Sequence, residues 1–244
     1  MTEWARYYDA AGEEPRETLL AALERFAQPG VAIDLGCGTG RDTVELLRRG
    51  WHVVAIDSEA EAIRRLRAKT GDDERLETQV ARYEEAVLLP CELVNASWSL
   101  PFCPPEVFAA VWDRIVSSLD AGGRFCGQLF GDRDEWATED DMTFHTRAEA
   151  EELLRDFELE RFDEDEEDGK TALGQAKHWH VFNIVARLRF ARNPADFVRH
   201  RTDGPSARPP GVRWPAAAFG FDDGLASARL SRALGGPECV LFRW

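Results

Sequence analysis

The sequence predicts an α/β chain: a mostly parallel sheet with helices on both faces, closed by an antiparallel hairpin. Three observations carry this. Short apolar, strand-like runs alternate with amphipathic helical stretches from residue 31 to about 157. One of those runs ends in an acid, Asp34, followed by three alternating glycines and a helix start at Asp42. The last two strand-like runs, Leu159 to Asp168 and Trp179 to Arg187, are joined by a short connection holding Gly169 and Lys170, which makes a hairpin rather than a crossover.

In chain order, Glu13 to Phe26 puts Leu19, Leu20, Leu23 and Phe26 on one helical stripe, with Pro15 in the first turn and Gly30 closing the segment. Val31 to Ile33 is a buried strand, and Asp42 to Arg49 is the helix after the glycines, stopped by Gly50. Trp51 to Asp57 is the second strand, Glu59 to Lys69 a helix with Ile63 and Leu66 inward, and Leu76 to Val80 the third strand. Glu92 to Ser97 is the fourth strand and Pro105 to Leu119 the next helix. Gly122 and Gly123 then turn the chain into a fifth strand, Arg124 to Phe130. Thr146 to Phe157 is a helix that Thr146 caps, with Glu149 placed as in a capping box.

A strand, a glycine turn and a helix N-terminus form a corner sized for a nucleotide, because bare glycine backbone lets a ligand approach closely. The dinucleotide fingerprint needs glycines at positions one, three and six. Here they stand at one, three and five (Gly36, Gly38, Gly40), and Arg41 takes the sixth place. A phosphate loop ending Gly-Lys-Ser/Thr is absent from the sequence. The strand-acid-Gly-x-Gly-x-Gly loop, with Asp57 ending the next strand, resembles class I S-adenosylmethionine-dependent methyltransferases. Trp4-x-x-Tyr7-Tyr8, Gly36-Cys37-Gly38-x-Gly40-Arg41-Asp42 and His178-Trp179-His180 are similar to the tellurite-resistance and thiopurine-type branch of that family.

The resemblance implies a Rossmann-like class I methyltransferase fold, a seven-stranded, mostly parallel sheet with a C-terminal antiparallel hairpin, and S-adenosyl-L-methionine as cofactor. It puts Asp34 and Gly36, Cys37 and Gly38 near the methionine portion, Asp57 on the ribose hydroxyls with Ser58 beside it, and Arg82 and Tyr83 along the adenine. Asn95, Ala96 and Ser97 then lie at the sulfonium, and Arg41 can pair with the cofactor's carboxylate. Asp34 has a structural alternative, bonding the N–H groups of the glycine loop. On the substrate side, Trp4, Tyr7, Tyr8 and Arg16 belong to an N-terminal segment that commonly lies over the active site in this family. His178 and His180, on one face of a strand, and Tyr8 are the candidate catalytic residues. His145 is a further substrate-side candidate. No metal site is expected, because the two histidines lack a third ligand at suitable spacing.

A net charge of −15 disfavours nucleic acid as partner, no run is long enough to span a membrane, and no signal peptide is visible. Five scattered cysteines without a Cys-x-x-Cys pair fit a cytoplasmic protein. The expected organisation is an N-terminal lid or helical segment (1–29), a cofactor-binding domain (30–190) and a Pro/Arg-rich extension (191–244). That extension holds six of the twelve prolines and eight arginines against five acids. It is a candidate surface for pairing two copies. The leading expectation is methyl transfer to a small-molecule nucleophile. The alternatives are cofactor binding without transfer, as a sensor or partner subunit, and cyclisation or cleavage of the cofactor on the same fold.

Overall fold

The structure, a computed structural model, describes residues 3–10 and 12–190, with side chains from Arg6 onward. The 191–244 extension and its proposed pairing role lie outside the described residues.

The elements are α1 (Glu3–Ala10), α2 (Glu17–Leu23), β1 (Val31–Leu35), α3 (Arg41–Arg48), β2 (His52–Asp57), α4 (Ala60–Thr70), β3 (Leu76–Val80), β4 (Cys91–Ala96), α5 (Pro105–Ser118), β5 (Leu119–Gly131), β6 (Phe144–His145), α6 (Arg147–Leu153), β7 (Phe157–Lys170) and β8 (Ala176–Leu188), with a 3-10 turn at Leu100–Phe102. The sheet runs β3-β2-β1-β4-β5-β8-β7, with the two-residue β6 also paired to β5. Strands β1 to β5 are parallel, β8 is antiparallel to β5, and β7 to β8. The chain leaves β1 toward β2 and β3, then returns to lay β4 on the other side of β1. That reversal opens a crevice at the carboxyl ends of β1 and β4, where ligands bind in open α/β sheets.

Side-chain alternation splits the core into two layers. Ala32, Val53, Ala55, Leu93 and Cys126 meet Leu19 and Leu23 of α2, Leu46 and Leu47 of α3, and Ile63 and Leu66 of α4. Phe125, one residue from Cys126, faces the opposite way, and Trp112 of α5 packs edge-on against it with centroids 4.9 Å apart. Helices therefore cover both faces.

Several boundaries differ from the sequence expectation for physical reasons. Helix α2 begins at Glu17, not Glu13, because the Arg16 backbone is extended and its N–H is donated to the Asp42 carboxylate at 2.9 Å. Gly122 and Gly123 do bend the chain, but inside β5. Leu119 already pairs with Cys91, and pairing resumes at Arg124–Leu93 beyond the irregularity. Helix α6 ends at Leu153, and Phe157 opens β7. Its capping box is present: the Thr146 hydroxyl accepts from the Glu149 N–H, and the Glu149 carboxylate accepts from the Thr146 N–H at 2.8 Å. Strand β6 has no counterpart in the sequence reading, so the sheet has eight strands where seven were expected.

Candidate functional site

At its first and last glycines the turn is packed by neighbours that leave no room for a side chain. Gly36, Gly38 and Gly40 all have positive φ (75°, 53° and 87°). The N–H groups of Gly36 and Cys37 both donate to the Ile56 carbonyl, at 2.8 and 3.0 Å, which ties the loop to the end of β2. A Cβ on Gly36 would lie 2.3 Å from the Ser99 Cβ, and one on Gly40 would lie 2.2 Å from the Leu66 Cδ1. Gly38 is more open: the Tyr8 ring is nearest, 3.6 Å from the Cβ position. Tyr8 therefore lies over the loop. Burial first, and Asp57 second, push its hydroxyl pKa up, so it stands there as a neutral phenol.

Asp57 ends β2 beside this turn. One carboxylate oxygen accepts the Gly38 N–H and the other the Glu59 N–H, each at 2.8 Å. Two backbone bonds leave lone pairs on both oxygens, enough to accept two further hydroxyls. Burial raises the Asp57 pKa and the two N–H donors oppose it. Tyr83, after β3, donates its hydroxyl to the Ser99 carbonyl at 2.7 Å, and Ser99 in turn donates to the Leu35 carbonyl at 2.6 Å. Tyr83 is thereby fixed between β3 and the loop, whereas the Arg82 and Ser58 side chains are exposed.

Asp34 does not bond the N–H groups of the glycine loop, as its structural alternative had it. It is buried at 2 % exposure and accepts the Thr43 hydroxyl at 2.5 Å and an Asn95 amide N–H at 2.9 Å. The loop N–H groups go to Ile56 and Asp57 instead. Asn95 also donates to Asp42 at 3.1 Å, and Ser97 donates its hydroxyl to the Asn95 side-chain Oδ1 at 2.8 Å. Asp34, Asn95 and Asp42 thus form one network linking β1, β4 and α3. Burial, then the neighbouring Asp42, raises the Asp34 pKa. Ala96 closes the strand end, its carbonyl 2.5 Å from a Cβ position on Gly127. Cys37 is buried within the turn.

A cavity of about 460 Å³ opens beside the turn, with Arg16, Arg41, Trp98, Trp179, Val181 and Asn183 among the residues lining it. Tyr7 of α1 also faces it. Trp98 follows β4 with φ 55°, a left-handed conformation that a bulky residue rarely adopts. Gln128 holds it there. The Gln128 side-chain oxygen accepts the Trp98 N–H at 2.9 Å, and its amide donates to Thr18 and Asn183 at 3.1 Å each. The Trp98 ring meets Trp179 edge to face at 5.4 Å, and the Arg16 guanidinium lies 5.4 Å over it.

The candidate histidines are not in this cavity. Along β8 the residues lining it are Trp179, Val181 and Asn183. His178 and His180 do share a strand face, but alternation turns that face away. His178 is held on the hairpin surface by Asp168 at 2.7 Å and Glu166 at 3.4 Å, which raise its pKa. His180 is fully buried, accepting the Arg133 N–H at 3.1 Å and bonded to Glu164 at 2.9 Å. His145 lies between α5 and α6, its ring 4.9 Å from Phe108. Trp4 is on α1, its side chain outside the described residues. Trp98, Gln128 and Asn183 escaped the sequence reading; the residue alternation of β8 could have exposed Asn183, and nothing local marks the other two. Among the described residues no group of three or more His, Cys, Asp or Glu converges on a common point. No helix there is long and apolar enough to cross a membrane.

Comparison with known proteins agrees with this geometry. The family model of a methyltransferase domain matches residues 32–123. The chain is 31 % identical over 142 residues to trans-aconitate 2-methyltransferase of Rhodopseudomonas palustris, a match covering 55 % of this chain and 53 % of that one. It therefore spans about half the length of that curated relative. Among solved structures, TehB from Haemophilus influenzae superposes with a TM-score of 0.62 at 19 % identity, over 71 % of this chain and 62 % of that one. The 1,6-didemethyltoxoflavin-N1-methyltransferase of Burkholderia thailandensis, solved with 1,6-didemethyltoxoflavin and S-adenosylhomocysteine, gives 0.55 at 23 % identity over 75 % and 80 %. Residues 32–123 thus match a methyltransferase domain, and the glycine turn with Asp57 and the strand order with its antiparallel hairpin are similar to those of class I S-adenosylmethionine-dependent methyltransferases.

Proposed function

We propose that the chain binds S-adenosylmethionine at the Gly36–Gly40 turn and transfers its methyl group to a small-molecule nucleophile. The observation that carries this is the Asp57 carboxylate, anchored by two backbone N–H groups beside the glycine turn, with a cavity opening on the same edge. The site suits the cofactor: Asp57 keeps acceptor capacity for two ribose hydroxyls, Tyr83 stands at the adenine side, and Arg41 offers donors to the methionine carboxylate. That the curated relative acts on trans-aconitate and the toxoflavin enzyme on a small heterocycle supports a small-molecule acceptor. Residues 1–29 serve as the segment over the site and 30–190 as the catalytic domain, in keeping with Tyr7 and Tyr8 reaching the cavity and the turn.

When bound, the sulfonium supplies an already activated methyl electrophile, so the protein's task is alignment and exclusion of water. Trp98, fixed by Gln128, and Trp179 wall the acceptor side. Tyr8 covers the turn. No histidine lines the cavity among the described residues, so proximity rather than a histidine base accounts for the rate. Calorimetric titration of S-adenosylmethionine and S-adenosylhomocysteine tests the reading. Micromolar binding by the wild type, weakened at least tenfold in Asp57→Ala, is expected; a wild type that binds neither would end it.

A further inference from the structure

Arg16, just ahead of α2, and Arg41, the first residue of α3, both line the cavity. Among the described residues neither takes part in an ion pair. Glu17, next to Arg16 in sequence, pairs with Arg161, and Asp42, next to Arg41, is engaged by the Arg16 backbone N–H and by Asn95. Arg16 is half-buried, and burial, then the neighbouring Arg41 charge, lowers its pKa, opposed by its hydrogen bond with Tyr7 and by the Asp42 charge. Two neighbouring guanidinium groups with no carboxylate in ion-pair contact form a local excess of positive charge on this side of the cavity. Each offers five N–H donors in a planar fork suited to a carboxylate. The methionine carboxylate of the cofactor can satisfy Arg41, which opens the helix after the glycine turn. Arg16 then keeps its hydrogen bond with Tyr7 but has no carboxylate in ion-pair contact among the described residues. It lies over the face of Trp98, and Trp98 and Trp179 stand at 90° to one another, giving two flat apolar walls beside one charge.

On the reading given under Proposed function, we propose that the acceptor is a planar, anionic small molecule. Its carboxylate is held by Arg16, and its ring lies against Trp98 and Trp179. The remaining charged groups of the cavity set its direction. Asp165, Glu167 and Lys170 all come from β7, and Asp165 accepts the Asn183 amide at 2.8 Å. Two acids against one lysine make the β7 side unfavourable for an anion, so the carboxylate points to Arg16.

The test titrates indole-3-carboxylate, and its neutral isostere indole-3-carboxamide, into the full chain saturated with S-adenosylhomocysteine. The acid is expected to bind at least tenfold more tightly than the amide. Arg16→Gln, which retains the backbone bond to Asp42, is expected to erase that preference while holding S-adenosylhomocysteine affinity within twofold; Arg16→Lys restores part of it. Equal affinity for acid and amide, or binding of neither by the loaded protein, overturns the proposal. So does a tenfold loss of S-adenosylhomocysteine affinity in Arg16→Gln, which would give Arg16 to the cofactor. Failure of the wild type to bind S-adenosylhomocysteine at all instead overturns the methyltransferase reading beneath it. Thermal melts confirm that the variants are folded.

Discussion

Single glycines separate two demands that a turn makes on its residues. Gly174 has φ 82° and open space where a Cβ would go, so Gly174→Ala meets only the left-handed backbone penalty, about 1–2 kcal/mol. Gly36 has φ 75° and would in addition drive its Cβ to 2.3 Å from the Ser99 side chain, whose hydroxyl is fixed on the Leu35 carbonyl. Overpacking of that kind adds about 1–3 kcal/mol. Gly36→Ala is therefore expected to lower the urea midpoint clearly more than Gly174→Ala, with unchanged slopes. Equal losses would show that Ser99 moves freely and that the turn is less rigid than its bonds imply. Trp98 makes the opposite bargain: a bulky side chain is kept at φ 55° because Gln128 takes its N–H and the ring walls the cavity.

The hairpin β7–β8 carries one cavity wall on Trp179, and a buried charge pair sets that wall. Lys177 and Asp134 are ion-paired, with side chains 1 % and 0 % exposed, and the ammonium lies 3.6 Å from the Trp179 ring centroid and 4.3 Å from that of Trp136. Asp134 also accepts the N–H groups of Trp136 and His180. Lys177→Met leaves that carboxylate buried without its cation, so denaturant unfolding should show a loss of about 3–5 kcal/mol. Adding Asp134→Asn should return part of it; a single variant as stable as wild type would mean that the pair contributes nothing. None of this was legible in the sequence, where Lys177 is only the first residue of a Lys-His-Trp-His run. What could be read was periodicity. Strand β3 matches the expectation to the residue, the capping box of α6 is present, and the hairpin forms where an acidic strand and an apolar one are joined by a short connection with no helix between them. Periodicity also put His178 and His180 on one face, but it cannot say which face of a two-sided strand meets a ligand. The two-residue β6 is too short for any period, and the late start of α2 depends on Asp42, 26 residues away.

The whole molecule is acidic, with net charge −15 on the full chain, so its response to acid combines many carboxylates. Glu45 and Glu164, held at about 2 by arginine partners, lose their contribution only as pH falls below the ordinary carboxylate range. Asp34 and Asp57, raised mainly by burial, act in the other direction, because the folded state takes up their protons first. His145 works in a window of its own. Its ring is 7 % exposed, its Nδ1 is buried without a hydrogen-bond partner, and burial pushes its pKa down to about 4. The folded pKa is depressed, so the stabilisation is complete above the unfolded value of about 6.5 and is lost progressively as pH falls toward 4. His145→Phe removes both the orphaned nitrogen and this titration, and the ring can keep its packing against Phe108. At pH 7.5 the variant should be at least as stable as wild type, since an unsatisfied buried polar atom costs about 1–3 kcal/mol. Between pH 6.5 and 4 its advantage should widen by up to about 3 kcal/mol, while the carboxylate contributions, common to both proteins, cancel in the difference. Urea unfolding at half-unit pH steps measures that gap directly. A gap that stays constant across the window would show that His145 is protonated in the folded protein, and that the space between α5 and α6 admits enough water to solvate it.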